Sequence, residues 1–277
     1  MMLAMGSVFS GIAGIERGLE MIGVGRTVWQ CEKDEYAQEV LRKHWPALPL
    51  YTDVCHLARG ARARREQQCD LLVGGPPCQD VSVAGRGAGM SPGTRSGLWW
   101  EYVRVVGALR PPLVFVENPA RSRGRWLPSV TSSLAALGYW WSYVCIRACD
   151  LGYHHERDRV FVLAADADGL RKLQRRGAFA ELGRRTGDGA AEARSTSNVD
   201  FDRRQKRFNH TSKVSGITTG FGQSAGQARI ALPDMVRAVH GVPCRVDRIK
   251  CLGNTVIPEQ AAAAWQILVL SMGLVSK

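Results

Sequence analysis

Between residue 7 and about residue 165, short apolar runs alternate with stretches whose apolar residues recur at helical spacing. Alternation of that kind belongs to a parallel sheet covered by helices, so the chain is expected to be α/β with helices on both faces. Strands are expected at 7–10, 27–31, 71–73, 113–117, 143–147 and 160–164, and helices at 14–22, 35–44, 97–109 and 127–137. Composition changes after about Asp166. From there to Ala228 the chain is rich in Arg, Gly, Ser, Thr and Gln, with basic clusters such as Arg184-Arg185 and Arg203-Arg204-Gln205-Lys206-Arg207 and little sustained periodicity. Three parts are therefore expected: a main domain at 1–165, a small, loop-rich, phosphate-facing region at 166–240, and a C-terminal segment at 241–277. In the last of these a turn at Gly253, Asn254 and Pro258 leads into an alanine-rich helix that ends near Gly273 and packs back on the main domain.

Within the main domain the run Leu71-Leu72-Val73-Gly74-Gly75-Pro76-Pro77-Cys78-Gln79 sets one cysteine directly after a buried-strand pattern. The glycines permit sharp turning, and the prolines fix φ and withhold their N–H groups, so Cys78 is expected to be displayed to a substrate. A thiol so displayed suits a protease, a redox sensor or a metal ligand as well as other nucleophilic chemistry. The remaining seven of the eight cysteines form no C-x-x-C pair. Cys145 and Cys149 lack the second ligand pair that zinc requires, so no metal site is expected. Scattered cysteines point to a reducing compartment without a disulfide framework. No run approaches the roughly 18 apolar residues of a membrane span, and Met1-Met2-Leu3-Ala4-Met5 lacks a basic start. A soluble, cytoplasmic protein is expected. Its formal charge of +12, carried mostly by arginine, makes nucleic acid the expected partner, because the planar guanidinium suits phosphates and base edges.

The stretch Val8-Phe9-Ser10-Gly11-Ile12-Ala13-Gly14-Ile15-Glu16 reads as a strand passing through a glycine turn into a helix. Glu32, about 20 residues after the turn and at the end of the next strand, is placed to accept hydrogen bonds from ribose hydroxyls. Asp53, before Val54, is placed to read an adenine amino group. The full G-x-G-x-x-G of a dinucleotide site is absent, so an adenosine-containing cofactor without phosphates, such as S-adenosyl-L-methionine, fits better than NAD.

Taken in order, these motifs closely resemble those of the DNA cytosine C5-methyltransferases of bacterial or phage type. Phe9-Ser10-Gly11-Ile12-Ala13-Gly14 is similar to that family's cofactor loop, Glu32 to its ribose-binding acid, and Asp53-Val54 to its adenine contact. Pro76-Pro77-Cys78-Gln79 resembles the nucleophile motif, Glu117-Asn118 the catalytic acid motif, and Arg157-Asp158-Arg159 the paired-arginine motif. Gly253-Asn254-Thr255-Val256-Ile257-Pro258 resembles the C-terminal cofactor motif. The resemblance implies a Rossmann-like methyltransferase sheet with a small target-recognition domain. It implies that Cys78, Glu117, Asn118, Arg157 and Arg159 carry the chemistry, with Asn118 positioning Glu117, Arg157 orienting the site and Arg159 contacting the base carbonyl. It implies that Phe9, Gly11, Gly14, Glu32, Asp53, Val54, Pro77, Leu98, Asn254 and Val256 hold S-adenosyl-L-methionine. Gln79, Ser82, Arg86, Arg95, Arg203 and Arg204 are the expected contacts to double-stranded DNA, and 80–97 is the expected mobile loop. The protein is expected to act as a monomer, in DNA methylation of the restriction-modification kind.

Three departures stand out. Ala13 takes a position where the family often has glycine, Pro119 follows Glu117-Asn118 where valine is common, and His155 replaces a glutamine before the arginines. None removes a reacting group, and Pro119 favours an extended Asn118. The same catalytic set also suits a tRNA substrate, and a catalytically silent DNA-binding protein of the same fold is a further alternative.

Overall fold

The computed structural model describes residues 2–77, 97–177 and 244–275. In chain order, β1 (Leu3–Val8), α1 (Gly14–Met21), β2 (Gly25–Cys31), α2 (Glu35–His44), β3 (Leu50–Tyr51), α3 (Ala61–Glu66) and β4 (Leu71–Gly74) form the first half. They are followed by α4 (Leu98–Leu109), β5 (Leu113–Pro119), α5 (Arg123–Ala136), β6 (Trp140–Ile146), β7 (Arg159–Ala165) and α6 (Ala167–Arg175), and then by α7 (Arg245–Asn254) and α8 (Pro258–Ser271). The seven strands form one sheet in the order β3-β2-β1-β4-β5-β7-β6. Strands β1 to β5 run parallel, and β7 is antiparallel to both β5 and β6. This is the α/β sheet that the alternation implied, with the Rossmann-like form that the family resemblance implied.

The central strands are apolar at successive positions because both faces of the sheet are covered. Leu71, Val73, Leu113, Phe115, Phe161 and Leu163 pack with Ile15 and Leu19 of α1, Leu170 and Leu173 of α6, and Trp265 of α8. Their alternate neighbours Leu72, Val114, Val116, Val160 and Val162 pack on the other face with Trp99, Tyr102 and Val106 of α4 and Trp126, Val130 and Leu134 of α5. No helix among the described residues is long and apolar enough to cross a membrane.

Several boundaries differ from expectation for identifiable reasons. Strand β1 begins at Leu3 and ends at Val8, so Ser10 belongs to the loop that follows. Gly6 and Ser7 weaken its apolar signal, yet Gly6 is needed there: a Cβ would sit 2.2 Å from the Trp29 ring. Helix α5 starts at Arg123 and carries Pro128 inside it, because buried Trp126 anchors an arginine-rich first turn that has no apolar periodicity. Helix α6 lies in the stretch where little periodicity was expected, and two leucines suffice to seat it on the core. Gly253 and Asn254, expected in a turn, form the end of α7.

Candidate active site

The strand order reverses direction between β1 and β4. Parallel α/β sheets open a crevice at such a switch point, beyond the carboxyl ends of the strands. Here a cleft of about 1740 Å³ occupies that place. Phe9, Gly11, Gly14, Glu32, Asp53, Val54, Pro77, Leu98, Asn254 and Val256 all line it, and so do Glu117, Asn118, Arg157 and Arg159. The expected cofactor residues and the described members of the catalytic set therefore share one cavity. Cys78, Gln79, Ser82, Arg86, Arg95, Arg203 and Arg204 lie outside the described residues.

One half of the cleft is built from the loop after β1. Phe9, Gly11 and Ala13 all have left-handed φ, at 58°, 54° and 65°. A Cβ on Gly11 would meet nothing, whereas one on Gly14 would lie 2.4 Å from both Thr255 Oγ1 and the Val256 carbonyl. The loop thus opens toward the cleft on one side and packs tightly on the C-terminal segment on the other. The Ala13 backbone pays about 1–2 kcal/mol for its left-handed conformation. Burial of its methyl group, fully shielded from solvent, offsets part of that cost. Ala13→Gly is accordingly expected to lie within about 1 kcal/mol of neutral. Ala13→Val should destabilise by about 3 kcal/mol, since a β-branched side chain neither tolerates this φ nor fits, and urea unfolding of both variants measures it.

Glu32 sits at the end of β2 and accepts from three backbone N–H groups: Gly11 at 2.7 Å, Lys33 at 2.8 Å and Asp34 at 2.8 Å. Its carboxylate is thereby fixed at the cleft edge with lone pairs to spare. Asp53 accepts from the Cys55 N–H at 2.8 Å and pairs with Lys33 at 3.4 Å; the Cys55 N–H holds its carboxyl below the usual range. Asp34 is likewise lowered, chiefly by its bond from Lys250, which ties α2 to α7 across the cleft mouth. Sequence reading missed Asp34 and Lys250, which are 216 residues apart and carry no local motif. This donor set fits S-adenosyl-L-methionine. Carboxylates at 32, 34 and 53 suit ribose hydroxyls, an exocyclic amine and a cationic group, and they would repel a pyrophosphate.

Beneath the loop lies a carboxyl that sequence reading also passed over. Glu16 of α1 is 1% exposed and accepts from the Ser7 hydroxyl, which in turn lies 2.8 Å from the Ser10 hydroxyl. Burial raises its pKa from 4.5 to about 7, against the hydrogen bond from Ser7. A raised carboxyl pKa means that the folded state favours the protonated form. The group's contribution to stability is whole below 4.5 and fades as pH rises through about 7. Glu16→Gln should therefore shrink the loss of stability between those pH values by on the order of 3 kcal/mol. Chemical denaturation of the variant and the parent at the two ends of that window reads this difference, and the constant cost of a buried amide cancels.

The other half of the cleft lies past β4 and β5. Register pairs Gly74 with Val116, so the chain leaves β4 alongside Glu117. Neither Gly74 nor Gly75 has a positive φ, contrary to the expectation that they serve sharp turning. Their role is space. A Cβ on Gly74 would lie 2.5 Å from the Val8 carbonyl, and one on Gly75 would lie 3.0 Å from Glu117 Oε2. Asn118, extended within β5 as Pro119 favours, donates from Nδ2 to the Pro76 carbonyl at 2.8 Å. It therefore holds the loop that leads to Cys78, in place of the expected hold on Glu117.

Because β7 runs antiparallel, its first residue lies at the same end of the sheet as the last residues of β5. Pro119 pairs with Arg159 and Glu117 with Phe161, which makes Glu117 and Arg159 diagonal neighbours. Arg159 Nε stands 2.8 Å from Glu117 Oε1, and both side chains are about nine-tenths buried. The N–H is not aligned for a hydrogen bond, so the coupling is one of charge. Burial raises the Glu117 pKa to about 7, with Arg159 and then Arg157 pulling the other way. Arg157, at φ 32°, donates from Nη2 to the carbonyls of Leu252 at 3.2 Å, Gly253 at 2.9 Å and Thr255. It thereby clamps the C-terminal segment to the start of β7. His155 is exposed on the cleft rim with its ring stacked against Tyr153. Cys31, at the end of β2, and Cys69, in the segment before β4, are both buried, and burial pushes their thiols up to about 12, so they stay protonated near neutrality.

The model of the C-5 cytosine-specific DNA methylases matches residues 3–219. The chain belongs to that family. It is 36% identical over 167 residues to the type II methyltransferase M2.BsuMI of Bacillus subtilis (strain 168), which covers 57% of this chain and 41% of that one. It is 32% identical over 162 residues to the type II methyltransferase M.CviJI of Paramecium bursaria Chlorella virus IL3A, covering 58% and 42%. The chain thus spans less than half the length of these two curated relatives. Among solved structures, the S. pombe Dnmt2 methyltransferase superposes with a TM-score of 0.50 at 16% identity, over 61% of this chain and 55% of that one. The Entamoeba histolytica methyltransferase EhMeth does so with 0.50 at 18% identity, over 60% and 53%. These last likenesses concern the fold, which is that of the methylase family.

Proposed function

We propose that this chain is a DNA (cytosine-5-)-methyltransferase acting on a flipped-out cytosine in duplex DNA through a covalent Cys78–C6 adduct. The observation that carries the reading is the buried Glu117–Arg159 pair in the same cleft as the carboxylate-lined pocket, with Asn118 anchoring Pro76. S-adenosyl-L-methionine, held by Phe9, Gly11, Glu32, Asp53 and Val256, supplies an electrophilic methyl group. Cytosine C5 is a weak nucleophile. Attack of the Cys78 thiolate on C6 makes C5 enamine-like, and covalent catalysis thus divides one difficult step into easier ones. Protonated Glu117 donates to N3 as negative charge develops in the ring, and Arg159 faces the same charge from the other side. Loss of the C5 proton to water, elimination of the thiolate and return of the N3 proton to Glu117 then restore the aromatic ring. The target base must leave the helix at a cost of a few kcal/mol, and Gln79, Ser82, Arg86 and Arg95 are assigned to DNA contact. Arg203 and Arg204, with the part of the region 166–240 that follows α6, are assigned to target recognition, whereas α6 itself packs on the core of the main domain.

Transfer of labelled methyl from S-adenosyl-L-methionine to mixed-sequence duplex DNA, with tRNA as competitor, tests the reading. Methylation of DNA at cytosine C5 is the expected result. A folded, cofactor-bound protein that modifies neither substrate overturns it, and a marked preference for tRNA reassigns the substrate.

A further inference from the structure

We propose that Arg121, Arg123 and Arg125 form a contact surface for the phosphodiester backbone of the substrate duplex, on the flank of the cleft next to Glu117. The proposal rests on the reading that the chain acts on DNA. All three arginines are exposed, and Arg121 and Arg123 line the cleft that holds Glu117. Among the described residues none of them forms a salt bridge. Arg123 donates to Cys145 Sγ at 3.4 Å, and the nearby Asp158 offsets part of its charge.

Their placement runs against the electrostatics of the isolated fold. Helix α5 starts at Arg123 and has no acidic residue in its first turn and no capping side chain. The positive end of a helix macrodipole normally attracts carboxylates, and cations there are unfavourable. Three arginines at this end cost the DNA-free protein stability, and a polyanion beside them reverses the sign.

The turn is also tied rigidly to the catalytic strand. Ser122 donates to the Pro119 carbonyl at 2.6 Å and to Asn118 Oδ1 at 3.3 Å, and Trp126 is 2% exposed. A phosphate held by Arg121 is thereby fixed relative to Glu117, four residues earlier. Backbone contact of this kind sets register and orientation and reads no sequence.

The test is binding of a fluorescein-labelled mixed-sequence duplex to the full chain over a series of KCl concentrations. Each of R121Q, R123Q and R125Q should lower the slope of log K against log salt by about 0.9 and weaken binding roughly tenfold, alike on every sequence. The DNA-free melting temperature should not fall in these variants and should rise in R125E, an outcome that a structural role for the arginine would not produce. Wild-type binding with the slope unchanged in all three variants overturns the surface, whatever the melting temperatures. A wild-type chain that binds no duplex overturns the DNA reading and this surface with it.

Discussion

Glu117→Gln is expected to slow methyl transfer by about 10²- to 10⁴-fold, the span typical of a lost general acid or base. The amide keeps the size and the planar shape of the carboxyl, so the loss isolates the proton. Two opposing influences set that proton. Burial at the sheet end disfavours the carboxylate, and Arg159 at 2.8 Å favours it, leaving the group near 7. A group so poised is half protonated at neutrality and can give a proton to N3 as charge builds there. The dependence on pH follows. Below about 7 Glu117 is protonated and the ratio of parent to variant kcat/KM is constant; above it the ratio falls tenfold per pH unit. Taking the ratio removes the ionisation of Cys78, which is common to both proteins. Single-turnover rates at several pH values supply the measurement, and a ratio that stays flat across neutrality would show that this proton takes no part.

Cys78→Ala should reduce methyl transfer to background and abolish trapping on a duplex carrying 5-fluorocytosine, while S-adenosyl-L-methionine still binds. The effect should exceed that at Glu117 because, in the proposed mechanism, the thiolate supplies the bond that makes C5 reactive. Without it no amount of proton donation to N3 creates an enamine. Pro76 is held by Asn118, and Pro77 lines the cleft with Glu117. Cys31 and Cys69 offer no substitute, since burial keeps both thiols protonated. Residual transfer by the alanine variant, or undiminished trapping as judged by a denaturant-resistant protein–DNA band, would argue against covalent attack at this residue.

Much of the fold was legible in the chain itself. Leu71 to Val73, Leu113 to Val116 and Val160 to Ala164 are nearly unbroken apolar runs, as strands buried on both faces must be. The helices between them show amphipathic spacing that needs no tertiary information. Phe9, Gly11 and Glu32 were readable because a turn after β1 and an acid after β2 follow from the local geometry of a βαβ unit. Where small or polar residues interrupt the pattern, as at Gly6 and at the arginine-rich start of α5, boundaries were displaced.

What a sequence of this kind determines by itself is the set of elements and the chemical types brought to their ends. Which of those ends meet was decided only by strand order and direction. Arg159 reaches Glu117 because β7 runs antiparallel beside β5, and Arg157 clamps carbonyls almost a hundred residues away. The left-handed backbone at Ala13, the spatial need for Gly74 and Gly75, and the buried Glu16 depend likewise on neighbours that are remote in the chain. Periodicity reports which face of an element is dry. It carries no record of which other element dries it, and the burial of a charge, hence its pKa, is a property of that second element.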